Sequence, residues 1–121
     1  MKQTLLVITL SLGIVISSQA QEAEIQKEHY PNGQVQYERS YKNGKRHGLT
    51  KRYSEEGKLW EDVEYVNGKK QGLWREYYPS GKLKDTRIYK NDNVNGIAVR
   101  YFENGKPERE MMWVNNMPDG N

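Results

Sequence analysis

Cysteine is absent from the 121-residue sequence, so no disulfide holds this chain together. With only two histidines, His29 and His47, the usual ligand set of a zinc site is missing as well. Phenylalanine occurs once, at Phe102, and proline four times. A predominance of one charge is also lacking: 19 Lys and Arg stand against 16 Asp and Glu, intermixed, for a formal net charge of +3. Such mixing reads as a solvated surface and argues against a nucleic-acid partner. So few apolar residues would ordinarily suggest disorder. Nine Tyr and three Trp argue the other way, because they recur at regular intervals.

The start of the chain differs from the rest. Met1 and Lys2 precede the apolar stretch from Leu5 to Ile16, and Ser17-Ser18-Gln19-Ala20 follows. A basic start, an apolar middle and small residues before a cut describe a signal peptide over residues 1–20, cleaved after Ala20. The apolar stretch falls short of the ~20 residues a membrane span needs. No cysteine follows it, so a lipid anchor is excluded. The expectation is export, to the periplasm or beyond the cell, of a single domain covering residues 21–121.

That domain is periodic. Gly33, Gly57, Gly81 and Gly105 are spaced by 24 residues, as are Gly48, Gly72, Gly96 and Gly120. Tyr41, Tyr65, Tyr89 and Trp113 share one slot; Val35, Leu59, Leu83 and Pro107 share another. Four units result, 24–47, 48–71, 72–95 and 96–119, with no insertion between them. Each holds two short aromatic-rich runs separated by turn residues such as Pro31-Asn32-Gly33 and Asn43-Gly44. Glycine recurs too often for helices, and Asn-Gly supplies the positive φ of a tight hairpin turn. Gly33, Gly44, Gly48, Gly57, Gly68, Gly72, Gly81, Gly96 and Gly105 are read as the turn glycines that define the repeat.

The expected fold is all-β: an elongated, single-layer antiparallel meander of about eight strands. They fall near 24–30, 34–42, 48–54, 58–66, 72–78, 82–90, 96–102 and 106–114. One hairpin alone is marginal, so the units must stack and support each other through cross-strand pairs. The strand near 106–114 is expected to be an edge. It can accept a strand from a partner or second copy. The favoured reading is an edge made unattractive by Pro107, Glu108, Arg109 and Glu110.

Tyr41-Lys42-Asn43-Gly44-Lys45-Arg46-His47-Gly48 resembles the Asn-Gly-Lys-x-His-Gly core of MORN repeats. Asn67-Gly68-Lys69-Lys70-Gln71-Gly72 is a near match, and the Tyr-x-x-Gly-Lys-Leu segments resemble the bacterial repeat variant. Asp92 and Asn116 replace the turn glycines found at Gly44 and Gly68, but both residue types tolerate positive φ. The resemblance implies a non-enzymatic scaffold that binds proteins or, by an older proposal for the family, membrane lipids. Some bacterial relatives are labelled antitoxins, a cytoplasmic role that a signal peptide argues against.

Catalytic groups do not converge in the sequence. His29 fills the slot of Tyr53, Tyr77 and Tyr101, and His47 that of Gln71, Asn95 and Asp119, so both are repeat positions. The pairs Glu55-Glu56 and Glu61-Asp62 look like solvated carboxylates without the apolar enclosure that an acid catalyst needs. Asn91, Asp92, Asn93 and Asn95 form an oxygen-rich turn without the spacing of an EF-hand. No enzyme activity and no cofactor or metal are expected. Trp60, Trp74, Tyr78 and Phe102 alternate with the Leu/Tyr slots. They form a candidate stripe for a protein partner, an envelope component or a glycan, unless they only pack across strands. Membrane-surface contact through Lys42, Lys45, Arg46, Lys69 and Lys70 would be weak and salt-sensitive, at ~1 kcal/mol per cation. The leading expectation is an interaction module; an antitoxin-like factor that masks a toxin is second.

Overall fold

A computed structural model describes residues 23–119. The expected signal peptide and Gly120 lie outside the described residues. Alternating short runs and turns produce one open antiparallel sheet, with no helix among the described residues. Its strands are β1 (Glu24–His29), β2 (Val35–Lys42), β3 (Lys45–Tyr53), β4 (Leu59–Val66), β5 (Lys69–Tyr77), β6 (Leu83–Lys90), β7 (Asn93–Val94), β8 (Gly96–Tyr101), β9 (Pro107–Val114) and β10 (Met117–Pro118). Neighbours in sequence are neighbours in space, and β7 pairs with β6 beside β8. Packing runs mainly between adjacent strands, as in a repeat array.

The eight expected strands are all present, but their ends differ in an instructive way. Residues 43–47 look like one long turn in sequence. The turn is in fact Asn43-Gly44 alone, with both φ values positive (54° and 77°), and Lys45-Arg46-His47 already belongs to β3. A two-residue turn with positive φ at both centres is the connection that matches strand twist. Asn91-Asp92 and Asn115-Asn116 adopt the same form, so the departures from glycine are tolerated as expected. They also add contacts. Asp92 Oδ1 accepts from Lys70 N at 2.8 Å, and Asn116 Oδ1 accepts from Val94 N at 2.7 Å.

Gly48, Gly72 and Gly96 are not turn glycines. Gly48 and Gly72 sit inside β3 and β5, and Gly96 opens β8 after the break at Asn95. Register shifts opposite Ser40 and Glu64 mark bulges around Gly48 and Gly72. There the strand kinks as it passes from one hairpin partner to the next. A positive φ, 102° at Gly48 and 132° at Gly96, lets it do so without a Cβ.

A second bulge decides which side chains share a face. Between Leu59 and Glu61 the ladder skips Trp60, so Leu59 faces with Asp62 while Trp60 joins Glu61, Val63 and Tyr65. The expected Leu/Tyr face is therefore split: Leu59 and Tyr65 lie on opposite sides. Apolar burial is thin, and among the described residues only Val63, Val94 and Ala98 are buried hydrophobics. Charged and aromatic pairs do the rest. On one face Asp62, only 3% exposed, accepts from Arg75 Nε at 2.8 Å and Arg75 Nη2 at 3.1 Å. On the other face Asp85 holds Arg100 through one oxygen, Oδ2, which accepts from Nε at 3.0 Å and Nη2 at 2.8 Å. These hydrogen bonds raise the pKa of Arg75 and Arg100 above the ordinary arginine value, so both stay charged.

The tyrosines of one slot are tied to carboxylates that also share a slot, Glu38 and Asp62. Tyr53 Oη donates to Glu38 Oε1, and Tyr77 Oη to Asp62 Oδ2, each at 3.3 Å. Burial first, and the neighbouring carboxylate second, push both phenols above the ordinary tyrosine pKa. A raised folded-state pKa gives stability that is complete below the unfolded value of about 10. It is lost as pH climbs through the higher folded-state value. Unfolding followed by urea at stepped pH is expected to show a plateau at neutral pH and a decline above about pH 10. The decline should be shallower in Tyr53→Phe/Tyr77→Phe. An unchanged alkaline decline in that variant would remove these two phenols as its cause.

Candidate functional site: an aromatic cleft along the turn edge

The four aromatics singled out by alternation do not form one stripe. Trp60 and Trp74 share a face, whereas Tyr78 and Phe102 stand at the start of the longer turns. Trp74 is engaged by its surroundings. Its indole N–H donates to Glu61 Oε2 at 2.6 Å, and Arg87 lies 4.8 Å from its ring centre. Glu61 also takes Arg52 Nε at 2.8 Å, and Arg52 covers the Trp60 ring at 4.3 Å. Cations and rings thus alternate along one face from Trp60 to Arg87. Trp60 remains 42% exposed and Phe102 48% exposed.

Trp60 and Tyr78 meet at a cleft of about 400 Å³. It lies where the 54–58 turn runs between Tyr30 and Tyr78, and Leu59, Tyr77 and Pro79 complete its apolar wall. The volume falls within the usual range of ligand pockets. Glu55, Glu56 and Lys58 stand at its lip. Sequence reasoning placed Trp60 and Tyr78 among the candidates and missed Tyr30 and Tyr77. The signal that would have added Tyr30 was the slot Tyr30, Ser54, Tyr78 and Phe102, in which one member has no ring.

A second groove of about 260 Å³ lies mid-face, lined by Arg39, Arg46, Arg52, Lys70 and Glu61 among others. Each of these cations already covers an aromatic ring: Tyr37, Tyr65, Trp60 and Tyr89 respectively. Two of the five cations considered for a membrane surface, Arg46 and Lys70, are held on this face.

Residues that looked chemically suggestive in sequence have structural work. His47 Nδ1 accepts from Asn67 N at 3.5 Å. Gln71 and Asn95, which fill its slot, accept from Asn91 N at 3.0 Å and Asn115 N at 3.3 Å. The slot therefore caps the turn of the following hairpin. Asp62 corrects the expectation of a solvated carboxylate pair: it and Glu61 point to opposite faces, and both are bonded to cations. The oxygens of Asp92, Asn93 and Asn95 accept hydrogen bonds from Lys70 N, Asn116 Nδ2 and Asn115 N. Among the described residues no three His, Cys, Asp or Glu side chains gather as a metal-holding group.

Residues 25–43, 46–67, 70–91 and 94–115 each match the family described as MORN repeat variant. Every matched segment spans one hairpin closed by a longer turn. No curated protein and no solved structure matches the chain. Four matches covering most of the chain, on a sheet whose hairpins repeat in step with them, make the chain a member of the MORN repeat variant family.

Proposed function

We propose that this chain is an exported, non-enzymatic interaction module that holds a partner protein of the cell envelope at the turn edge of its sheet. The carrying observation is the cleft beside Ser54, where Trp60 stays 42% exposed although Arg52 lies over its ring at 4.3 Å. Large aromatic side chains around a desolvated pocket are the usual anchors of protein interfaces. The rigid repeat array supports the reading because it presents that cleft without a folding cost on binding. Export rests on the leader-like residues 1–20.

Affinity capture from the native envelope with the mature form tests it. Trp60→Ala is expected to lower recovery of a specific partner by about tenfold or more, the loss typical of an anchor residue. Circular dichroism of the variant should match the parent. Trp74→Ala is less informative, because it also strips a hydrogen bond from Glu61. Equal recovery by the folded Trp60→Ala variant would remove the cleft as the site.

A further inference from the structure

The turn edge carries one slot per unit: Tyr30, Ser54, Tyr78 and Phe102. Where the slot holds tyrosine, its phenol crosses to the next hairpin and donates to a main-chain carbonyl. Tyr30 Oη reaches Tyr53 O at 2.7 Å, and Tyr78 Oη reaches Tyr101 O at 2.6 Å. By the 24-residue period, the carbonyl standing in the same relation to Ser54 is that of Tyr77. Ser54 is too short to cross; its Oγ accepts from Lys58 N within its own turn at 3.2 Å. The cleft lies at this slot, flanked by Tyr30 and Tyr78 and lined by Tyr77.

The repeat also shows what belongs above the missing ring. Lys84 Nζ lies 5.6 Å from the centre of the Tyr78 ring. One unit earlier the residue in the place of Lys84 is Trp60, and it too lines the cleft. The second unit therefore has the covering side chain and the carbonyl, and lacks only the ring between them. We propose that the cleft receives a tyrosine side chain of the partner protein, which stacks against Trp60 and donates its hydroxyl to the Tyr77 carbonyl. The inference rests on the interaction-module reading and names the ligand of that site. A pyranose fits less well, since hydroxyls around its rim would meet Leu59 and Pro79 without acceptors. Glu55 and Glu56 at the lip take part in none of the ion pairs among the described residues. A basic residue beside the tyrosine is complemented there.

An NMR titration of the mature protein tests this with three small probes: p-cresol, toluene and chitotriose. p-Cresol is expected to shift the Trp60 indole N–H and the Tyr77 and Tyr78 signals, with Kd in the millimolar range that so small a ligand allows. Toluene, without the hydroxyl, should bind about threefold to tenfold more weakly. Ser54→Tyr supplies the missing ring from within; it should abolish the p-cresol response and raise Tm, whereas Ser54→Ala keeps the response. A capped Lys-Tyr-Lys peptide should bind more tightly than p-cresol and lose that margin in Glu55→Gln/Glu56→Gln. No p-cresol shift at Trp60, an equal shift in Ser54→Tyr, or a response to chitotriose alone overturns the inference. If Ser54→Tyr blocks partner capture while p-cresol is silent, the tyrosine assignment falls and the interaction module stands. If neither Ser54→Tyr nor Trp60→Ala affects capture, the module reading falls with it.

Discussion

Replacing Asp62 with alanine is expected to lower the unfolding free energy by about 2–3 kcal/mol, the range for loss of hydrogen bonds to a charged group. The carboxylate is nearly inaccessible and binds both Arg75 nitrogens and the Tyr77 hydroxyl. Removing it leaves three donors, two on Arg75 and one on Tyr77, on one face of a sheet that has no second layer among the described residues. The loss stays below the ~3–5 kcal/mol of a fully buried pair, because the Arg75 side chain is 36% exposed and can turn to water. Asp62→Asn keeps part of the donor set satisfied and should lose about half as much. Urea denaturation of the three proteins measures this directly. For a domain of this size, 1 kcal/mol corresponds to about 4–8 °C in Tm. A change below about 0.5 kcal/mol, the level of an ordinary surface substitution, would mean that Asp62 is solvated after all.

Asp62 also shows where sequence reading stops. The period of 24 was enough to give strands, antiparallel order and an open meander, because glycine spacing and Asn-Gly turns act locally. It was enough to assign His29 and His47 to repeat slots. What it concealed was the bulge at Trp60. Simple alternation puts Leu59, Glu61, Val63 and Tyr65 together, and one skipped residue moves Leu59 to the other side. The aromatic stripe was drawn from alternation as well, and it broke at its far end, because β5 and β8 stop at Tyr77 and Tyr101 and leave Tyr78 and Phe102 in the longer turns. Burial of a carboxylate by the arginine opposite it on the neighbouring strand leaves no mark in a sequence rich in both charges. The cleft was half legible: Trp60 and Tyr78 stood out as large aromatics, while the decisive residue, Ser54, is conspicuous only when the four units are compared slot by slot.

The same comparison separates two kinds of glycine and predicts opposite sensitivities. Gly44 occupies a hairpin turn at φ +77°, and a Cβ there would meet nothing within 4 Å. Gly96 stands at φ +132°, and a Cβ would come within 3.3 Å of both Cβ and Cδ1 of Ile88. Alanine at Gly44 therefore carries backbone strain alone, about 1–2 kcal/mol. Alanine at Gly96 adds overpacking against a branched side chain whose Cβ cannot swing away, for a total of about 2–4 kcal/mol. Gly72 falls between them: its close neighbour at 2.8 Å is Glu64 Oε1, the far end of a flexible side chain. Asparagine at Gly44 should be tolerated within about 0.5 kcal/mol, because the chain already places Asp92 and Asn116 in that slot at φ 72° and 69°. Thermal and urea unfolding of Gly44→Ala, Gly44→Asn and Gly96→Ala test the ranking together. Equal losses for the two alanine variants would mean that backbone strain alone governs both positions. A costly Gly44→Asn would mean that the third and fourth turns owe their tolerance to the bonds of Asp92 and Asn116 with Lys70 and Val94.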